Sequence, residues 1–166
     1  MTNKGEIIMG EINMARVDDR LIHGKVMQKW TKGRGTNSVY VVDNATAADD
    51  FLKDIYVSTN STGGLKIKVF STKEVADEWN KDQFGNDKAL IVFKNVKELK
   101  ESYDNGLPLK EVDVGGAAKK PDTVSQPIGD VSLTQDDIND LKELANDDVE
   151  VYFQSVPESR KVNFKA

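Results

Sequence analysis

The chain has 166 residues with 23 basic and 28 acidic side chains, for a formal net charge of −5, and it contains one histidine and no cysteine. That length supports one compact domain over 1–166, and the missing cysteines exclude disulfides and thiolate metal sites, while a lone histidine excludes a multi-histidine metal centre within one chain. The acidic balance argues against nucleic-acid partners. With no apolar run of membrane-spanning length and no basic, apolar leader in "MTNKGEIIMGEIN", it predicts a cytoplasmic protein without direct membrane insertion.

Short apolar runs alternate with helical patterns, the order of a layered α/β fold with a mainly parallel sheet. A first strand is predicted over 11–17, followed by a turn and a short helix carrying Val26, Met27 and Trp30 at helical spacing. "SVYVVD" (38–43) reads as a strand buried on both faces. "TAADDFLKDIYV" (46–57) predicts one helix with Phe51, Leu52, Ile55 and Tyr56 on its packed side, and "LKIKVF" (65–70) an edge strand. Ser71 and Glu74 form a capping-box pattern ahead of a helix with Val75, Ala76 and Trp79 on one face. "KALIVF" (88–93) is a further buried strand, 95–106 a helix stopped at Gly106, and "KEVDVGG" (110–116) a strand running into a glycine turn. Residues 117–129 read as a loop. A helix follows with a Thr134/Asp137 cap and a stripe of Ile138, Leu141 and Leu144, then a last strand in "VEVYFQSVP" (149–157).

The only histidine lies in "ARVDDRLIHGKVMQKW" (15–30), and positive charge gathers there: between Arg16 and Arg34 six basic residues face only Asp18 and Asp19. In open α/β sheets, ligand and catalytic groups collect where strands end and loops lead into helices, which is the place of 18–24. Gly24 permits close backbone approach. Arg16 and Arg20 suit bidentate contact with phosphate oxygens, and Lys25 adds a further charge. A neutral imidazole can take a phosphoryl group, and a carboxylate of Asp18 or Asp19 can fix its tautomer by accepting the other ring N–H. Nucleophile, arginines and a helix N-terminus suffice for such chemistry without a metal or other cofactor. A plainer reading stands beside this one. His23, Val26, Met27 and Trp30 fall at offsets that also make His23 the first residue of a buried helix face, with the charges as a solvated cluster.

The string "ARVDDRLIHGKV" resembles the phosphorylation-site motif of the EIIB subunits of the mannose/fructose/sorbose family in the phosphoenolpyruvate-dependent sugar phosphotransferase system. "VYVVDNATAAD", "VDVGG" and "VSLTQDDINDLKEL…VEVYFQSVP" resemble its second strand, its glycine-ended strand and its last helix and strand. The resemblance implies a three-layer open sheet of about seven strands with helices on both faces. It implies that His23 is phosphorylated on Nδ1 by the histidine of an EIIA partner, with Arg20 and Arg16 stabilising the phosphoryl group. The sugar acceptor is then held by membrane EIIC and EIID, which brings the protein to the inner face of the membrane; a homodimer is compatible with it. Lys25 departs from the family's usual glutamine, and Asn44 from a frequent second aspartate.

Asp43, at the end of a buried strand, either lines the same crevice or caps the following helix. Gly115 and Gly116 read as a turn requirement and not a nucleotide loop. Two other functions share these residues: a phosphorylation-dependent regulator that binds a partner protein without transport, and a small-molecule-binding domain with a structural histidine.

Overall fold

A computed structural model describes residues 10–23, 26–58 and 64–165. In chain order the elements are β1 (Glu11–Asp18), α1 (Val26–Thr31), β2 (Ser38–Val42), α2 (Asn44–Ala47), α3 (Asp50–Ser58), β3 (Lys66–Phe70), α4 (Thr72–Asp82) and β4 (Lys88–Phe93). There follow α5 (Val96–Asp104), β5 (Glu111–Gly116), β6 (Thr123–Ile128), β7 (Val131–Thr134), α6 (Gln135–Asn146), β8 (Glu150–Phe153) and β9 (Val162–Asn163). Seven strands form one sheet in the order β3-β2-β4-β1-β5-β8-β9, parallel except for β9, and β6 pairs with β7 in a separate antiparallel hairpin.

Side chains alternate across each strand, so a strand buried on both faces feeds two cores. On one face Val39 and Val41 of β2 meet Leu90 and Val92 of β4 and the α1 residues Met27 and Trp30. On the other, Tyr40, Val42, Ile91 and Phe93 pack under Val75 of α4, Leu99 of α5 and Leu141 and Leu144 of α6. The helices therefore cover both faces. From the C-terminal end of β1 the chain leaves towards α1. From its neighbours β4 and β5 it leaves towards the opposite face, which opens a crevice around the β1 terminus.

Both expected capping boxes form: Ser71 and Glu74 exchange side-chain and backbone bonds at the start of α4, as do Thr134 and Asp137 at α6. Five expectations are corrected. Residues 46–57 are not one helix, because the Asp49 carboxylate accepts from the N–H groups of Phe51 and Leu52 and starts a new helix, α3. Resting against the edge strand β3, α3 buries none of its residues fully and leaves Phe51 74% exposed, although Tyr56 does pack on the core. The 117–129 segment contains β6. The strand ending at Phe153 is followed by β9, which pairs with it in the antiparallel sense. Finally, Gly115 and Gly116 belong to β5 and form no turn.

Candidate functional site

Asp18 ends β1 and is almost wholly buried, yet the chain after it folds back so that donors from Arg16, Arg20 and His23 converge on its carboxylate. The reversal is made by Leu21, whose N–H donates to the Asp18 carbonyl (2.9 Å) and whose φ of 57° is left-handed. A leucine there costs roughly 1–2 kcal/mol. Burial of its side chain in the α1-side core beside Met14, Met27 and Trp30 offsets that cost.

The geometry at Asp18 is specific. Oδ1 accepts from the Arg20 backbone N–H (3.1 Å) and from Arg20 Nε (3.1 Å), while Oδ2 accepts from Arg20 Nη2 (3.3 Å) and Arg16 Nη2 (3.4 Å). His23 Nε2 lies 3.1 Å from the same Oδ2. Burial alone would raise the Asp18 pKa, but the bonds from Arg20 and His23 and the Arg16 charge outweigh it and hold the carboxyl below its usual range. An ionised carboxylate only accepts, so the Nε2 that faces it is the donating nitrogen, and the tautomer this contact selects has its lone pair on Nδ1. The His23 side chain is 22% exposed and lines neither cavity beside the loop. Arg20 is half exposed, and its Nη1 bonds no described residue.

Arg16 does not meet the expectation of a phosphoryl contact. It is 0% exposed and spends its donors inside: Nη1 on the Asp113 carboxylate and on the Gln154 carbonyl (2.8 Å), Nη2 on the Ser155 carbonyl (2.7 Å) and on Asp18. Its guanidinium also lies over the Trp30 ring at 4.9 Å. Arg16 is therefore a positioning residue that ties β1 to β5 and the β8 end and sets a positive charge under Asp18. The close packing explains the two glycines of β5. A Cβ on Gly115 would collide with the Arg16 guanidinium, and one on Gly116 would sit 2.6 Å from Asp18 Oδ1.

The remaining residues divide clearly. Asp19 does not reach His23; its carboxylate accepts from the Ala118 N–H (2.7 Å), its N–H donates to the Gly116 carbonyl (3.1 Å), and its carbonyl accepts from Lys94 Nζ (2.7 Å). It fastens the loop to the β4 and β5 ends. Gly24 and Lys25 lie outside the described residues. Asp43 stands at the head of α2 without capping it, accepting from Thr46 Oγ1 (2.6 Å) and lying against Glu98. Burial and this contact push Glu98 up to about 7, against the Asn44 N–H that favours its charge. Among the described residues no hydrogen bond or ion pair joins Asp43 to Asp18, Arg20 or His23. Asp113 and Lys94 were not singled out from sequence. For Asp113 the signal was present, since a charged residue inside a buried strand requires a partner, and Arg16 in β1 poses the same requirement. Among the described residues no group of three or more His, Cys, Asp or Glu is arranged to hold a metal.

The family model of the PTS system sorbose subfamily IIB component matches residues 12–166. The chain belongs to that family. The sorbose-specific EIIB component of Lacticaseibacillus casei is 30% identical over 133 residues, 80% of each chain. The fructose-specific EIIB component of Bacillus subtilis (strain 168) is 26% identical over 94% of each. The crystal structure of manxB from Thermoanaerobacter tengcongensis superposes with a TM-score of 0.84 at 38% identity, covering 93% of both chains. A IIB component is a sugar-specific part of the phosphotransferase system and has a general role in phosphotransfer. IIB components work with EIIA and with membrane EIIC and EIID subunits. No helix among the described residues is long and apolar enough to cross a membrane.

Proposed function

We propose that the protein is a phosphocarrier in which His23 takes a phosphoryl group from the phosphohistidine of an EIIA partner and passes it to a sugar held by EIIC and EIID at the cytoplasmic face of the membrane. The observation that carries this reading is the Asp18–His23 contact, which fixes the proton on Nε2 and leaves the Nδ1 lone pair free. In the first step Nδ1 attacks phosphorus, an N–P bond forms, and the donor's N–P bond breaks with its electron pair returning to the donor imidazole. In the second, a sugar hydroxyl attacks, its proton leaves to solvent or a sugar-side base, and His23 recovers its lone pair. Arg20, with Nη1 uncommitted, stabilises the equatorial oxygens, while Asp18 balances the charge that His23 gains and loses. Partial exposure at the end of β1 suits transfer between two protein surfaces.

Incubation with phosphoenolpyruvate, Enzyme I, HPr and a cognate EIIA is expected to give an acid-labile, alkali-stable phosphoprotein, and His23→Ala is expected to remain unlabelled. Labelling of the variant would overturn the proposal.

A further inference from the structure

The turn that carries Arg20 is held from behind by a lysine of a neighbouring strand. Lys94 directly follows β4. Its backbone N–H donates to the Val42 carbonyl (3.0 Å), and the next residue, Asn95, caps α5 through the Glu98 N–H (2.9 Å), so the base of the side chain is fixed on both sides. The side chain is half-buried, and among the described residues its ammonium forms no ion pair with a carboxylate. Nζ donates instead to the backbone carbonyl of Asp19 at 2.7 Å, a charge-assisted bond of the shorter, stronger kind.

That carbonyl belongs to the peptide group joining Asp19 to Arg20. The N–H of the same planar group donates to Asp18 Oδ1 (3.1 Å), so Lys94 and Asp18 grip one rigid peptide from its two ends. The peptide before it is gripped as well: the Asp19 N–H donates to the Gly116 carbonyl (3.1 Å), and the Asp18 carbonyl accepts from the Leu21 N–H (2.9 Å). Arg20 therefore leaves the backbone in one direction, from which Nε and Nη2 reach the two oxygens of Asp18. Hydrogen bonds in series polarise one another, and a cation on the carbonyl makes the N–H of that peptide a better donor. The series runs from Lys94 through the peptide to Asp18 Oδ1, and from Oδ2 to His23 Nε2 at 3.1 Å.

Lys94 does not share the space in which Arg20 works. Asp19 lines both the concavity that contains Lys94 and the one that contains Arg20, whereas neither cation lines the other's. The loop stands between them. We infer that Lys94 is a positioning residue for phosphoryl transfer, acting through the Asp19–Arg20 peptide to hold Arg20 and the Asp18 carboxylate in register with His23. The inference rests on the phosphocarrier reading and adds to it a residue outside the contacts among His23, Asp18 and Arg20.

Single-turnover labelling by phospho-EIIA, stopped by rapid quench over a range of EIIA concentrations, separates the maximal transfer rate from the half-saturating concentration. Lys94→Met keeps the apolar stem and removes the ammonium. It is expected to lower the maximal rate about tenfold or more and to leave the half-saturating concentration within about twofold of wild type, while Lys94→Arg recovers most of the rate. In the unphosphorylated Lys94→Met protein the Arg20 amide proton is expected to move upfield, the sign of a weaker bond to Asp18. Should Lys94→Met fail to fold, Lys94→Gln carries the same expectations. A maximal rate within about twofold of wild type, a loss that appears only as a raised half-saturating concentration, an unmoved Arg20 amide, or no recovery in a folded Lys94→Arg overturns the inference. A wild type that takes no label overturns the phosphocarrier reading and this role together, whereas a labelled wild type matched by Lys94→Met overturns this role alone.

Discussion

Asp18→Asn removes one charge and keeps the shape of the group on which Arg20, Arg16 and His23 converge. The amide oxygen can still accept one or two of the five donors, but the new NH2 group turns two N–H bonds towards arginine donors that lose their acceptor. Hydrogen bonds involving charged groups are worth about 1.5–3 kcal/mol each, less on the half-exposed Arg20 side, and breaking a buried pair costs about 3–5 kcal/mol. Arg16 keeps Asp113, which reduces the loss, so the expected destabilisation is about 2–4 kcal/mol at pH 7. For a chain of this size that lowers Tm by roughly 5–15 °C. The pH dependence has a definite sign. A carboxyl held below 3.8 contributes stability that is present above that value and lost as pH falls through the lower folded value. The gap between wild type and variant is therefore constant from pH 7 to about 5 and closes below about 4. Thermal unfolding followed by circular dichroism over that range measures it. A variant within about 1 kcal/mol of wild type at pH 7, or a gap that persists unchanged in acid, would refute the reasoning.

Arg20→Ala is expected to slow phosphoryl uptake by about 100-fold or more, from the loss of a charge-stabilising donor, while lowering Tm by only a few degrees because the side chain is half exposed; rapid-quench labelling and a melt measure the two. Gly116→Ala places a methyl group 2.6 Å from Asp18 Oδ1, so it is expected to cost about 1–3 kcal/mol in urea unfolding and to slow transfer together with stability. Glu98→Gln tests the carboxyl pair at the β2 end. With a folded pKa of about 7 against 4.5 unfolded, Glu98 contributes stability below 4.5 that is lost as pH rises to 7, at most about 3 kcal/mol. The glutamine variant is expected to match wild type at pH 5 and exceed it at pH 8, and a pH-independent difference counts against the pairing.

The sheet was legible because its strands are buried on both faces and therefore read as β-branched runs, as in "SVYVV" and "KALIVF", and because Ser71/Glu74 and Thr134/Asp137 mark helix starts with side chains alone. The β6 strand was not legible, since a hairpin strand with proline and few apolar residues lacks the alternation that signals burial. The apolar stripe of α3 was visible and β3 read as an edge strand, but that α3 rests against this edge, and so stays exposed, is a fact of topology. At the site, the motif pointed to His23, Arg20 and Asp18, yet one residue's difference in strand register decides which charge faces outwards. Arg16 turned inwards to Asp113, a partner 97 residues away, and sequence spacing carries no information about that pairing.

The central claim is that Asp18 holds the proton on His23 Nε2 so that Nδ1 does the chemistry. The direct measurement is nitrogen and phosphorus NMR of the phosphorylated protein labelled with 15N in its single histidine. The account predicts a phosphorus–nitrogen coupling to Nδ1 with the proton retained on Nε2. Coupling to Nε2, or phosphorus carried on another residue, would contradict it.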